Sequence, residues 1–126
     1  MMLEKHIQNA ILNFLEECGC DPRIIKTQGT YDPVKKCFRK SKNRFNKKGT
    51  SDILAWLPDR VLFIEVKSKI GRVSPEQREF ICQANKRKQV AFVARSVEQV
   101  YDQLERFWPE IQEFKHLLKK YSSVDL

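Results

Sequence analysis

Apolar residues recur at intervals of three and four along Leu3, Ile7, Ala10, Ile11, Phe14, Leu15 and Cys18. That spacing predicts an amphipathic first helix, ended by Gly19. Ile24-Ile25-Lys26-Thr27 reads as a short strand. Two runs dense in Ile, Val, Leu, Phe and Trp then follow, Thr50 to Trp56 and Val61 to Lys67. Pro58-Asp59 between them supplies the turn of a hairpin. Ser74-Pro75-Glu76-Gln77 has the order of a capped helix start, with Ser at the N-cap, Pro at the first position and Gln at the third. That helix is expected to run through Phe80, Ile81 and Ala84 to about Lys88. Gln89 to Arg95 is mostly apolar and predicts a buried strand. Ser96-Val97-Glu98-Gln99 opens another capped helix, with Val100, Leu104 and Phe107 on one face. Pro109 interrupts the pattern, and Ile111, Phe114, Leu117 and Leu118 mark a last helix. A helix that crosses between the third and fourth strands makes those two strands parallel. The expected fold class is therefore α/β, a small mixed central sheet flanked by helices. Residues 1–126 are read as one domain, long enough for a hydrophobic core.

Charge changes the picture between the first strand and the hairpin. The chain carries a net charge of +8, which points to an anionic partner, most simply nucleic acid. The charge is concentrated: Pro33 to Ser51 contains no Asp or Glu, while Lys35, Lys36, Arg39, Lys40, Lys42, Arg44, Lys47 and Lys48 crowd together. Residues 28–49 are thus expected to form a basic, turn-containing connection that either contacts DNA or is partly disordered. Tyr31, Phe38 and Phe45 flank or interrupt it, and they suit either stacking on bases or packing on the core.

No apolar run approaches the roughly 20 residues of a membrane span. The amino-terminal residues lead into an amphipathic helix, where a signal peptide would have an apolar stretch. An intracellular, cytoplasmic protein without a membrane partner is expected. Cys18, Cys20, Cys37 and Cys82 lack Cys-x-x-Cys spacing and read as free, mostly buried thiols. His6 and His116 carry no expected role.

The chemistry lies in the hairpin. With the turn centred between Pro58 and Asp59, Leu57 faces Arg60, and counting outward places Asp52 opposite Glu65. Directly opposed antiparallel residues share a face, with Cβ atoms about 4.5–5.5 Å apart. Strand period two puts Lys67 on that same face. Two facing carboxylates repel, and each is costly to desolvate beside Leu62-Phe63-Ile64. A divalent cation between them removes both problems, and an adjacent lysine suits an anionic substrate. The structural alternative makes Asp52 a strand cap and Glu65–Lys67 a surface ion pair.

The ordered set Asp52, then Glu65-Val66-Lys67, resembles the PD-(D/E)xK nuclease core, a restriction-endonuclease-like fold. Gly49-Thr50-Ser51-Asp52 and Ser74-Pro75-Glu76-Gln77 are similar to the virus-type replication-repair nuclease (VRR-NUC) branch of that superfamily. The resemblance covers roughly residues 1–100. Ser51 departs from it, standing where the superfamily's name implies proline.

The resemblance implies metal-dependent, structure-selective DNA endonuclease activity, such as Holliday-junction cutting. It makes Asp52, Glu65 and the Val66 carbonyl ligands of Mg²⁺ or Mn²⁺, hard ions that suit oxygen donors. It gives Lys67 the attacking water or the developing charge. A first-helix glutamate, here Glu4, would reach the metal directly or through water. Without the resemblance, Glu4 is an ordinary first-turn acid. Gln77 is open between orienting a water or the lysine and bonding back to Ser74 as a helix cap. Family members of this size imply branched or structured DNA as partner, a homodimer, and a viral or phage source. Trp108, Phe114, Leu117 and Leu118 would either join two copies or close the monomer core. The alternative function is a non-catalytic nucleic-acid-binding module with a nuclease-like fold. An RNA-processing nuclease would use the same residues.

Overall fold

The computed structural model describes residues 3–25, 31–38, 44–45 and 47–122. The first helix, α1, spans Glu4–Glu17 and buries Ile7, Ile11, Phe14 and Leu15. It ends as the sequence predicts. Gly19 takes a left-handed φ of 82°, its N–H donates to the Glu16 carbonyl, and the Cys20 N–H donates to the Leu15 carbonyl, both at 3.0 Å. These two bonds satisfy carbonyls that the helix end leaves without intrahelical partners.

The chain turns into β1 (Arg23–Ile24). A separate two-stranded ribbon follows, β2 (Tyr31–Asp32) against β3 (Cys37–Phe38), where the sequence predicted only a turn-containing connection. The main sheet continues with β4 (Ile53–Trp56) and β5 (Val61–Val66), then crosses through α2 (Pro75–Lys86) to β6 (Val90–Ala94). Its strand order is β1-β4-β5-β6. β1 and β4 pair antiparallel, as do β4 and β5, while β5 and β6 run parallel. This is the mixed sheet expected from the crossover helix.

The pleat sorts the sheet into two faces. Ile53, Ala55, Leu62, Ile64, Val66, Val90, Phe92 and Ala94 are buried together with residues of α1 and of α3 (Val97–Phe107). On the opposite face, α2 sets Phe80 edge-on to Phe63, with ring centroids 5.1 Å apart. That face is only partly covered, and Trp56 on it is 51% exposed.

After Trp108 the chain forms a 3₁₀ helix over Pro109–Leu117 and a short α4, Leu118–Tyr121, where one last helix was expected. The reason lies in the spacing. Ile111, Phe114 and Leu117 recur at three, and a helix of three residues per turn stacks such positions on one face. Ile111 is buried, and Trp108, Phe114, Leu117 and Leu118 pack against the core of their own chain. Phe107, expected on the apolar face of α3, is instead 44% exposed, with the Arg60 guanidinium 5.6 Å from its ring centroid. No helix of the described residues is long and apolar enough to cross a membrane.

Candidate active site

The hairpin has the register derived from its turn. The Leu57 N–H donates to the Arg60 carbonyl at 2.9 Å, and Ile53 pairs with Ile64. One step further, Asp52 lies opposite Glu65 at the end of the β4–β5 ladder. Asp52 Oδ2 accepts from the Val66 N–H at 2.8 Å. The Asp52 carbonyl accepts from the Ile25 N–H at 2.8 Å, which ties β1 to the same point. The aspartate is thus held through both its side chain and its backbone.

Glu65 is 2% exposed. Its Oε1 accepts from Gln77 Nε2 at 2.5 Å and lies 3.6 Å from Lys67 Nζ. Its Oε2 is buried with no hydrogen-bond partner among the described residues. Burial pushes the carboxyl up to about 7, and the nearby Asp52 and Glu4 carboxylates push the same way while Lys67 opposes them. A surface ion pair would have neither this burial nor this elevation. The arrangement instead confines negative charge without enough positive charge to balance it, which is the condition that favours a cation.

Gln77 fills the capping role and adds a contact to Glu65 that neither sequence reading named. Its Oε1 accepts from the Ser74 N–H at 2.9 Å and its own N–H donates to Ser74 Oγ at 3.1 Å, completing a capping box. The same amide turns its Nε2 onto Glu65. One side chain therefore couples the start of α2 to the buried carboxylate.

Gly49 makes this approach feasible. Its φ is 91°, and a Cβ there would collide with the Glu76 carbonyl in the first turn of α2. Only glycine lets the chain pass that close, delivering Thr50, Ser51 and Asp52 beside the helix start. Ser51 is 1% exposed, and its Oγ has no partner among the described residues.

Glu4 is exposed in the first turn of α1. Its charge reaches Glu65, but no three His, Cys, Asp or Glu side chains among the described residues come together as a metal cluster. The Val66 backbone follows Glu65 directly at the end of β5. Burial raises the Cys18 and Cys20 thiols to about 12 and 11, which keeps both protonated at neutral pH as inert, buried groups. Cys82 is exposed and free.

The basic residues precede Asp52 in the chain. Pro33, Val34, Lys35 and Lys36 form the exposed turn of the β2–β3 ribbon, and Arg44, Lys47 and Lys48 are exposed nearer the hairpin along the chain. Arg39, Lys40 and Lys42 lie outside the described residues, as do the side chains of Tyr31 and Phe38. Phe45 is 70% exposed, so it does not pack in the core.

One contributor carried no sequence signal. Arg95, at the end of β6, donates from one guanidinium nitrogen to the Ser68 carbonyl at 2.5 Å and the Gly71 carbonyl at 2.8 Å. The neighbouring Ala94 carbonyl accepts from the Lys67 N–H at 3.0 Å. The segment that follows Lys67 is thereby fastened to β6. Arginine after an apolar strand reads as an ordinary strand end, and only the fold reveals the Ser68–Gly71 turn it holds.

A mixed sheet thus carries two facing carboxylates and a lysine at one end of an α/β core. The VRR-NUC domain model matches residues 3–98, about three-quarters of the chain, and the chain belongs to that nuclease family. The match begins at α1 and ends just past the start of α3, so it takes in Asp52, Glu65, Lys67 and Gln77. No curated protein matches the chain.

Proposed function

We propose that the protein is a metal-dependent, structure-selective DNA endonuclease that hydrolyses phosphodiester bonds in branched DNA such as four-way junctions. The observation that carries this reading is Glu65: a nearly fully buried carboxyl, facing Asp52, with one oxygen lacking a partner among the described residues. The residues fit a hard divalent ion. Asp52, Glu65 and the Val66 carbonyl would hold Mg²⁺ or Mn²⁺ through oxygen, with Glu4 supplying outer negative charge. The ion, when bound, supplies Lewis acidity to the scissile phosphate and its attacking water.

The chain's own residues do the rest. Val66 N–H fixes the Asp52 carboxylate, and Gln77 fixes Glu65. The Lys67 ammonium, held beside Glu65, donates to the phosphate as negative charge builds on it. Lys35, Lys36, Arg39, Lys40, Lys42, Arg44, Lys47 and Lys48 bind flanking phosphates. Two symmetric strands of a junction need two such sites, so the active form in this reading is a homodimer. Trp108, Phe114, Leu117 and Leu118 pack against their own core and stay half-buried.

Purified protein is incubated with labelled four-way junction, flap, duplex and single-stranded DNA in Mg²⁺, Mn²⁺ or EDTA, beside Lys67→Ala. The expected result is cutting of branched DNA that needs metal and falls about 10²–10³-fold in the mutant, the scale of removing one preorganised charge-stabilising donor. Retained cutting by Lys67→Ala would remove it from the site. Tight binding without cutting in any metal would favour the non-catalytic module.

A further inference from the structure

A cavity opens along the start of α2, lined by neither Asp52 nor Glu65. It is an open cleft of about 580 Å³ between the chain leading to Asp52 and one side of α2, within the roughly 300–1,000 Å³ of small-molecule sites. Phe45, Phe80 and Pro75 supply apolar surface, Lys47 and Lys48 stand on the chain side, and Glu76 and Glu79 stand on the helix side. Thr50, two residues before Asp52, also lines it. The Arg44 guanidinium lies 4.6 Å from the Phe45 ring centroid.

Each feature narrows the occupant. Exposed aromatic surface next to lysines suits a flat, uncharged ring attached to a phosphate backbone. Carboxylates on the helix side repel a phosphate but accept hydrogen bonds from an exocyclic amino group, as in acidic readout of cytosine N4. A base stacked and paired in a duplex cannot enter such a cavity, whereas an unpaired one needs little energy to do so. The backbone of that nucleotide would then lie along Lys47 and Lys48, within a short reach of Asp52.

We infer that this cavity takes an unpaired, amino-bearing nucleobase of the DNA strand, next to the phosphate that is cut. The inference deepens the endonuclease reading and rests on DNA being the substrate. It gives structure selectivity a physical source, because only a fork, flap or junction offers a base to the cavity.

The test is binding in EDTA, where no cutting occurs. Splayed-arm DNA carries cytosine, thymine or an abasic residue at each unpaired position in turn. Wild-type protein should bind cytosine forks about tenfold more tightly than abasic forks at one position, the scale of one base–aromatic stack. Phe45→Ala should lose that discrimination, and it leaves the core intact because the ring is exposed. Glu79→Gln should narrow the preference for cytosine over thymine. Equal binding of cytosine and abasic forks by the wild type at every position would overturn the inference, as would undiminished discrimination by Phe45→Ala. Cutting of the same cytosine fork in Mg²⁺ is scored separately. A protein that cuts while ignoring the base loses the cavity assignment alone. One that discriminates the base without cutting loses the nuclease reading alone.

Discussion

Two helices of this protein start with nearly the same four residues, Ser74-Pro75-Glu76-Gln77 and Ser96-Val97-Glu98-Gln99. Locally they behave alike. Each serine Oγ accepts from the N–H of the glutamine three residues on, at 3.1 and 3.2 Å. Each glutamine Oε1 accepts from a backbone N–H at the helix entrance, Ser74 in one case and Arg95 in the other. They differ in what faces them. Gln77 Nε2 reaches the buried Glu65 carboxyl, whereas the cap of α3 adjoins the arginine that fastens the loop after Lys67. A capping motif is thus a local device, and its wider role is set by the neighbour that the sheet brings to it.

The largest expected effect concerns the carboxylate that only the first helix start touches. In the unfolded chain Glu65 ionises near its ordinary 4.5, while in the folded protein it keeps its proton to about 7. Between those values the folded state binds more protons, so stability falls as pH rises and the loss is complete above about 7. The metal-free protein should lose on the order of 3 kcal/mol across that window from this group. Glu65→Gln should flatten that part of the profile, measured by urea denaturation at a series of pH values. An unchanged profile would mean that Glu65 is not held in the environment described.

Exchange of the glutamines is next. Gln77→Ala removes a hydrogen bond to the buried Glu65 carboxyl and leaves that group unsatisfied, at a cost of about 1–3 kcal/mol, and should slow DNA cutting about 10–100-fold. Gln99→Ala should lower stability by about 1 kcal/mol and leave the cutting rate within a few-fold. Equal losses of cutting in both variants, from single-turnover rates, would erase the distinction between the two helix starts. The smallest effect is the serines. Ser74→Ala and Ser96→Ala should each cost about 1 kcal/mol in thermal or urea unfolding. A much larger loss at Ser74 would show that its cap is coupled to the site more tightly than the bonds imply.

The hairpin was the most legible part of the sequence. Turn chemistry and strand period fixed Asp52 opposite Glu65, because both act over a few residues. The start of α2 was legible for the same reason, although its sequence could not show that one amide both caps the helix and holds Glu65. That second bond spans a sheet-to-helix contact, which no local pattern encodes. Arg95 was invisible on the same ground, since its partners lie more than twenty residues away. The β2–β3 ribbon was missed because its strands are two residues long, too short for a period to register. The last helix was legible as a helix, but not its division into a 3₁₀ segment and a short α4, since the apolar spacing suits either form.

The central claim is that Asp52 and Glu65 form a divalent-cation site. Calorimetric titration of Mn²⁺ into the metal-free protein at pH 6.5 tests it most directly, in two buffers of different ionisation enthalpy. The account predicts saturable binding with release of a proton, because Glu65 is still largely protonated at that pH and must ionise to bind the ion. Asp52→Asn and Glu65→Gln should abolish it. Absence of binding by the wild type, or binding that survives in Glu65→Gln, would contradict the account.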